Sequence, residues 1–310
     1  MNKSESGVSF VVPVYNKATY LPEVLLAIQN QRGDFEREFI FIDDGSTDES
    51  LTLLKKLTSK WKHVRIIEQK NHGSSHATNQ GIMAARLSYI KFVDADDLLG
   101  EYATKTLLNG LEQNPQACLA YGDVQRYKDR NDIDLSFYTD QPEIHQIHNP
   151  LKAALKNSLF NPTQFLARTT ACQKVGGCDE RIRYSQEYTL TIRLALEGDF
   201  VKVHMPMAYL PEEVTGRLSN NVGRQLQRVT MACANFMRDH PQVPREIKKF
   251  VCHRAAGRSW KYLHRHHGES HFSKWFYYSI ASYFVPDRKT VSFLENCAQA
   301  FDKAEQNVHI

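Results

Sequence analysis

Four short apolar runs, at 8–14, 39–42, 64–67 and 89–93, alternate along the first third of the chain with helical patterns at 19–30, 49–60, 75–86 and 101–113. Runs this short and this apolar predict strands buried on both faces, and their alternation with helices predicts βαβ units around a parallel sheet. A further strand is expected at 117–124 and another at 163–167, followed by a short helix at 169–175, a turn at 176–180 and a helix at 185–197. The polar stretch 127–149 has no clear period and reads as a surface excursion beside the site. Helical patterns return at 222–240, 244–266, 272–284 and 289–306, so the expected division is an α/β domain over 1–220 and a helical region over 221–310.

Two of the runs end in carboxylates. Ile90-Lys91-Phe92-Val93 passes into Asp94-Ala95-Asp96-Asp97, and Phe39-Ile40-Phe41-Ile42 into Asp43-Asp44-Gly45-Ser46-Thr47-Asp48. Carboxylates crowded at a buried strand end repel one another unless a cation lies between them, and oxygen-only donors suit Mg²⁺ or Mn²⁺ bridged to a phosphate. The plainer use for Asp94 to Asp97 is to cap the next helix. Ser46 or Thr47 is likewise expected to cap the helix after the second run. Open α/β sheets bind ligands beyond the carboxyl ends of their strands, so both clusters should line one crevice.

The first run ends in Pro13-Val14-Tyr15-Asn16-Lys17. A dinucleotide fold needs Gly-x-Gly-x-x-Gly there and a P-loop needs Gly-Lys-Ser/Thr, and neither is present, which also argues against a nucleotidyltransferase. Tyr15 instead offers a flat ring for a nucleobase, with Asp44 placed to accept from a base N–H. An ordinary strand-end aromatic is the alternative.

Together, Val11-Val12-Pro13-Val14-Tyr15-Asn16, Ile42-Asp43-Asp44-Gly45-Ser46-Thr47-Asp48, Asn71-x-Gly73-x-x-x-Ala77-x-Asn79-x-Gly81 and Asp94-Ala95-Asp96-Asp97 resemble glycosyltransferase family 2 over roughly residues 7 to 220. The resemblance implies an inverting, nucleotide-sugar-dependent enzyme with a GT-A type, Rossmann-like, mostly parallel sheet flanked by helices. It places the nucleotide against Pro13, Val14, Tyr15, Asn16, Asp44, Asn79, Asp94 and Ala95, and the metal, Mn²⁺ or Mg²⁺, on Asp96 and Asp94. Where the family has a Glu-Asp pair whose second member is the catalytic base, this chain has Gln186-Glu187, making Glu187 the expected base. The other use for Glu187 is a first-turn acid favoured by the helix dipole. Asp97, Gln186 and Gln164 are expected toward the sugar or acceptor. Three departures stand out: Thr78 where the family often has Arg, Gln186 for an ionisable residue, and no His in the 212–219 loop, where Glu213 reads as a solvated loop acid or as an oxygen donor in its stead.

Composition narrows the partners. The formal charge, 39 − 35 = +4, is too small to argue for nucleic acid. Six cysteines without Cys-x-x-Cys pairing give no zinc or disulfide framework and suit a reducing cytosol. The start, Met1 to Gly7, is polar and the next apolar run is interrupted at Pro13, so no signal peptide is expected. No stretch reaches the roughly 18 to 20 apolar residues of a membrane span. The C-terminal helices combine Arg254, Arg258, Lys261 and Lys274 with Trp260, Tyr262, Trp275, Phe276, Tyr277 and Tyr278. Such a face suits the cytoplasmic surface of a membrane, a helical core with a basic rim, or a second copy of the chain.

Two functional classes follow from the resemblance. One is a transferase that moves a sugar, by the family a UDP-sugar, to a glycan or lipid-linked acceptor in surface polysaccharide synthesis. The other is a catalytically lapsed relative that binds a nucleotide sugar or glycan.

Overall fold

The apolar runs form adjacent strands of one sheet. In the computed structural model, which describes residues 7–212, 221–270 and 272–304, β1 (Gly7–Val14), β2 (Glu36–Asp43), β3 (Val64–Glu68) and β4 (Tyr89–Phe92) pair in parallel in the order β3-β2-β1-β4. Val8, Phe10, Val11 and Val12 are fully buried, as a strand covered on both faces requires. The crossovers are α1 (Leu21–Gln29), α2 (Ser50–Thr58) and α3 (Ser74–Ala84). Helix α1 opens with Pro22 in its first turn and buries Leu21, Val24, Leu25 and Ile28, a stripe at helical spacing. A Cβ at Gly81 would collide with Val11 Cγ1, so glycine there lets α3 lie directly on β1.

Beyond β4 the sheet turns mixed. After β5 (Leu98–Leu99), α4 (Ala103–Gln113) and β6 (Ala117–Tyr127) come β7 (Ile144–Ile147), α5 (Leu151–Lys156), β8 (Phe165–Arg168), α6 (Thr169–Lys174), α7 (Gln186–Leu194) and β9 (Asp199–Pro211). The path continues β4-β8-β6-β9-β5, with β7 on β9. β6 and β9 run parallel, while the antiparallel contacts of β8, β5 and β7 span four residues or fewer.

Several sequence expectations are corrected here. Helix α4 starts at Ala103 with Tyr102 before it, so Asp94 to Asp97 cap no helix. Neither Ser46 nor Thr47 caps α2, because the residue before it is Glu49 and the Ser46 hydroxyl instead accepts from the Asn16 N–H. Thr163 and Gln164 lie in a 3-10 turn, with the strand beginning at Phe165. The 127–149 excursion contains β7. Strand β9, which the sequence did not suggest, carries Pro206 opposite Asp123, between register shifts of the β6 ladder. A proline cannot donate to a ladder and is tolerated at such an irregularity, which is why it obscured the strand.

Residues 1–151 with 158–215 form one compact unit, and residues 152–157 with 216–310 a second. The second unit holds most of α5 together with α8 (Val222–Asp239), α9 (Arg245–His267), α10 (Lys274–Ala281) and α11 (Thr290–Ala298). Tyr262, Leu263, Trp275, Ala300 and Phe301 form a buried cluster there, and Arg254 and Arg258 donate to Asn157 at the end of α5. Part of the basic and aromatic content is therefore core and rim. Phe272, Tyr277, Ile280, Tyr283 and Phe284 remain exposed. Among the described residues no helix is long and apolar enough to cross a membrane.

Candidate active site

Register places the acidic strand ends side by side. Val14 pairs with Asp43 and Val11 with Phe92, while the Asp44 and Val93 N–H groups donate to the Val14 and Val11 carbonyls. The segments leaving β1, β2 and β4 therefore emerge on one edge of the sheet. Those after β1 and β2 are stitched together: the Asn16 Oδ1 accepts from the Thr47 N–H at 2.8 Å, Ser50 Oγ from the Lys17 N–H at 2.7 Å, and Asp48 from the Ala18 N–H at 3.1 Å. Asn16 takes a positive φ of 52° to make this junction. Tyr15 stands 45% exposed beside it, which leaves its ring free for stacking.

Asp44 is buried, and its carboxylate organises the segment after β3. Its Oδ1 accepts from Gln69 Nε2 at 2.7 Å and the His72 N–H at 2.8 Å, and its Oδ2 from the Gly73 N–H at 2.8 Å. A carboxylate has about four acceptor sites, so one on Oδ2 is left for a base N–H. Asp43 accepts from the Ser46 N–H through Oδ2, whereas its buried Oδ1 has no partner.

The acidic turn after β4 rests on a buried lysine. Lys91 is fully buried and donates to the Phe92 carbonyl at 2.9 Å and the Thr163 carbonyl at 2.6 Å. Burial pulls its ammonium down to about 7, against the opposing pull of Asp97 and Asp94. Thr163 completes the support: its hydroxyl accepts from the Asp94 N–H and donates to Asp97 Oδ2 at 2.8 Å. Asp97 thus braces the turn. Asp96 points to the other side, where Lys17 Nζ lies 2.6 Å from its Oδ2.

Glu187 joins this group from the first turn of α7, which Ser185 opens in the left-handed region at φ 79°. Gln186 accepts from Ser74 Oγ at 2.6 Å and brings its Nε2 to 3.5 Å from Asp94 Oδ1. Burial first, then the charges of Asp97, Asp96 and Glu187, push the Asp94 carboxyl well above the usual carboxylate range, with Lys17 acting the other way. Asp94, Asp96, Asp97 and Glu187 thus lie within electrostatic reach of one another, with Lys17 on Asp96. Their all-oxygen chemistry fits Mg²⁺ or Mn²⁺, and Asp94 with Asp96 would need phosphate oxygens to complete a shell. A small pocket, open to solvent, is lined by Pro13, Thr78, Asp94, Gln186, Glu187 and Leu190 among others. The buried Thr78 hydroxyl has no hydrogen-bond partner.

Two of the expected site residues have their side-chain amides engaged by neighbouring backbone. The Asn79 amide donates to Cys178 O and Glu180 Oε1 and accepts from the Cys178 N–H, so it holds the 177–180 turn. Gln164 is buried, donating to Gly122 O and accepting from the Asn161 N–H. Ala95 is buried. Glu213 lies outside the described residues. Lys17 and Lys91 were not anticipated, although a lysine inside the apolar run Tyr89-Ile90-Lys91-Phe92-Val93 was a visible signal. Asp179, in the turn before α7, forms a two-point ion pair with Arg181.

The fold has a solved counterpart. A crystal structure of S. aureus TarS 1-349 in complex with UDP-GlcNAc superposes with a TM-score of 0.63 at 14% identity, covering 97% of this chain and 92% of that one. The architecture is the GT-A fold. The model of glycosyl transferase family 2 matches residues 9–176, more than half of the sequence, and the chain belongs to that family. A poly(ribitol-phosphate) beta-glucosyltransferase of Bacillus spizizenii is 28% identical over 223 residues, 66% of this chain and 34% of that protein. The uncharacterized glycosyltransferase EpsJ of Bacillus subtilis is 33% identical over 203 residues, 63% of this chain and 58% of that one. The chain therefore spans less than two thirds of either relative's length.

Proposed function

We propose that the chain is an inverting glycosyltransferase that moves a sugar from a UDP-sugar to a hydroxyl of a glycan or lipid-linked acceptor in surface polysaccharide synthesis. The observation that carries this reading is the convergence of Asp94, Asp96, Asp97 and Glu187, with Asp94 driven up by burial and then by the other three. The relatives' names support it: a UDP-GlcNAc complex for the donor class and a poly(ribitol-phosphate) transferase for the acceptor class.

Tyr15 would stack on the uracil, and Asp44 would offer its remaining acceptor site to a base N–H. Asp96 and Asp94 would hold Mn²⁺ or Mg²⁺, whose chemistry when bound is to neutralise charge growing on the departing diphosphate. Glu187 would take the proton of the acceptor hydroxyl as its oxygen forms the new bond to the anomeric carbon. The sugar–phosphate bond breaks on the opposite face, which inverts the configuration. Gln186, tied to Ser74, would keep the start of α7 and the acidic turn in register.

The exposed Phe272, Tyr277, Ile280 and Phe284, near Lys274 and Arg288 in the chain, support contact of the second unit with the cytoplasmic membrane face, where a lipid-linked acceptor is presented. Self-association through the same helices is the competing use. Six free, buried cysteines suit a reducing compartment.

A lapsed binder is the second reading, favoured by Thr78 and by the ammonium of Lys17 on Asp96. One experiment separates the two. UDP-glucose, UDP-galactose and their N-acetylamino counterparts are screened with Mn²⁺ for thermal stabilisation, and UDP release is followed with any ligand that stabilises. Metal-dependent stabilisation with turnover supports the transferase and stabilisation without turnover the binder. No stabilisation by any nucleotide sugar would overturn both.

A further inference from the structure

The ladder between β7 and β9 gathers a second set of ligating groups, unrelated to the carboxylate turn. Ile144 pairs with Val203 and His145 with Lys202, which sets Glu143 opposite His204, whose N–H donates to the Glu143 carbonyl at 2.9 Å. Side chains two apart on a strand share a face, and directly opposed residues share it too. Glu143, His145 and His204 therefore crowd one patch of surface. His145 Nε2 lies 2.6 Å from Glu143 Oε1, and the two imidazoles are 4.9 Å apart. Among the described residues this is the only trio of His, Cys, Asp or Glu whose ligand atoms all lie within 4.8 Å of one another. Asp123 on β6 brings a carboxylate oxygen 3.9 Å from His204 Nδ1.

We propose that Glu143, His145 and His204, with Asp123 as a fourth donor, form a Zn²⁺-type metal site distinct from the Mn²⁺ or Mg²⁺ site at Asp94 and Asp96. Two imidazoles and carboxylate oxygens suit a borderline-soft ion that accepts four ligands, whereas Mg²⁺ and Ca²⁺ take oxygen alone. All three side chains are at the surface, so small rotations suffice to bring their donors to the roughly 2.0–2.2 Å of a zinc shell. The site's role follows from what it joins. β7 is the return of the excursion after β6, whose Leu135 and Asp134 carbonyls accept from the Glu101 N–H and the Tyr209 hydroxyl. An ion on Glu143, His145 and His204 would clip that excursion to β9.

The test titrates the chelator-treated full chain with Zn²⁺ alone, by calorimetry, and follows the visible absorption of Co²⁺ in parallel. One ion per chain should bind and raise the thermal midpoint. His145→Gln with His204→Ala should weaken binding by more than about 100-fold, beyond what loss of a supporting partner costs. Asp96→Asn should leave it unchanged. His72→Ala with His76→Ala controls for the chain's other histidines and should also leave it unchanged. Absence of one-to-one binding, or equal binding by the His145/His204 variant with an unaltered metal-free thermal midpoint, would overturn the proposal. If that variant fails to fold, Glu143→Gln serves in its place, and undiminished binding there overturns it equally.

Discussion

Lys17 Nζ lies 2.6 Å from Asp96 Oδ2, an ion pair that ties the segment after β1 to the acidic turn after β4. The ammonium stands where the proposed divalent ion needs a carboxylate, so it competes for the same charge. Both groups are partly exposed, which limits the pair to about 1 kcal/mol. Lys17→Met should therefore tighten Mn²⁺ binding by about two- to fivefold in the absence of nucleotide. Asp96→Asn should abolish metal-dependent UDP binding. Manganese titrations followed by electron paramagnetic resonance measure both, and weaker Mn²⁺ binding by Lys17→Met would rule out the competition.

Glu187 sits in the first turn of α7, beside the pocket and within the electrostatic reach of Asp94. Glu187→Gln keeps size and hydrogen bonding but accepts no proton, so transfer should fall about 10²- to 10⁴-fold with donor affinity nearly intact. Gln186→Ala removes the bond to Ser74 and should do less harm. A wild-type rate in Glu187→Gln would move the base elsewhere, and Asp179, already paired with Arg181, is a poor replacement.

Asp44→Ala leaves three donors without their acceptor, the His72 and Gly73 N–H and the Gln69 amide, and removes any base contact. Its effect on stability should be about 1–3 kcal/mol, so a binding defect in that variant alone is ambiguous. Asp44→Asn is the sharper probe: it keeps one acceptor oxygen but brings a donor toward the base or the loop. Expected are a thermal midpoint nearer wild type than that of Asp44→Ala and UDP binding weakened at least about tenfold, the loss of one hydrogen bond to a charged group. Calorimetry showing unchanged UDP affinity in Asp44→Asn would place the base away from this residue.

Buried thiols should make the protein sensitive to alkali. Burial pushes Cys118, Cys252 and Cys297 up to about 12 and raises Cys172 and Cys178 as well. From about pH 8.5 upward the unfolded chain loses thiol protons that the native state keeps, so stability falls as pH rises, by about 1.4 kcal/mol per pH unit for each group. Cys118, Cys172 and Cys178 lie in the first unit and Cys252 and Cys297 in the second. Lys91, brought down to about 7, works in the opposite sense up to about pH 10.4, but it is one group against three in its unit. Urea midpoints should drop steeply between pH 9 and about 11, and Cys118→Ala should flatten the decline. A level profile over that window would count against the assignment.

How far the sequence reached is visible in particular residues. The runs at 8–14, 39–42, 64–67 and 89–93 became β1 to β4 because their burial on both faces leaves an unbroken apolar signature. Asp44, Asp94 and Asp96 follow strands that end on one edge of the sheet, as neighbouring parallel strands do. Asn79 and Gln164 show the limit. Each carries a polar amide near the site, and only the packed structure reveals that both amides already hold backbone groups of neighbouring turns.

The sequence alone determined the alternation of strands and helices, the acidic strand ends and the family, because all three are written in local spacing. Only the tertiary structure decided which charges answer those acids. Lys17 and Asp96 are 79 residues apart, Lys91 and Thr163 are 72 apart, and Ser74 and Gln186 are 112 apart. The Glu143, His145 and His204 patch likewise exists only through the register of β7 on β9. Partners so distant in sequence leave no periodic trace, because sheet order and register bring them together after the chain has closed its core.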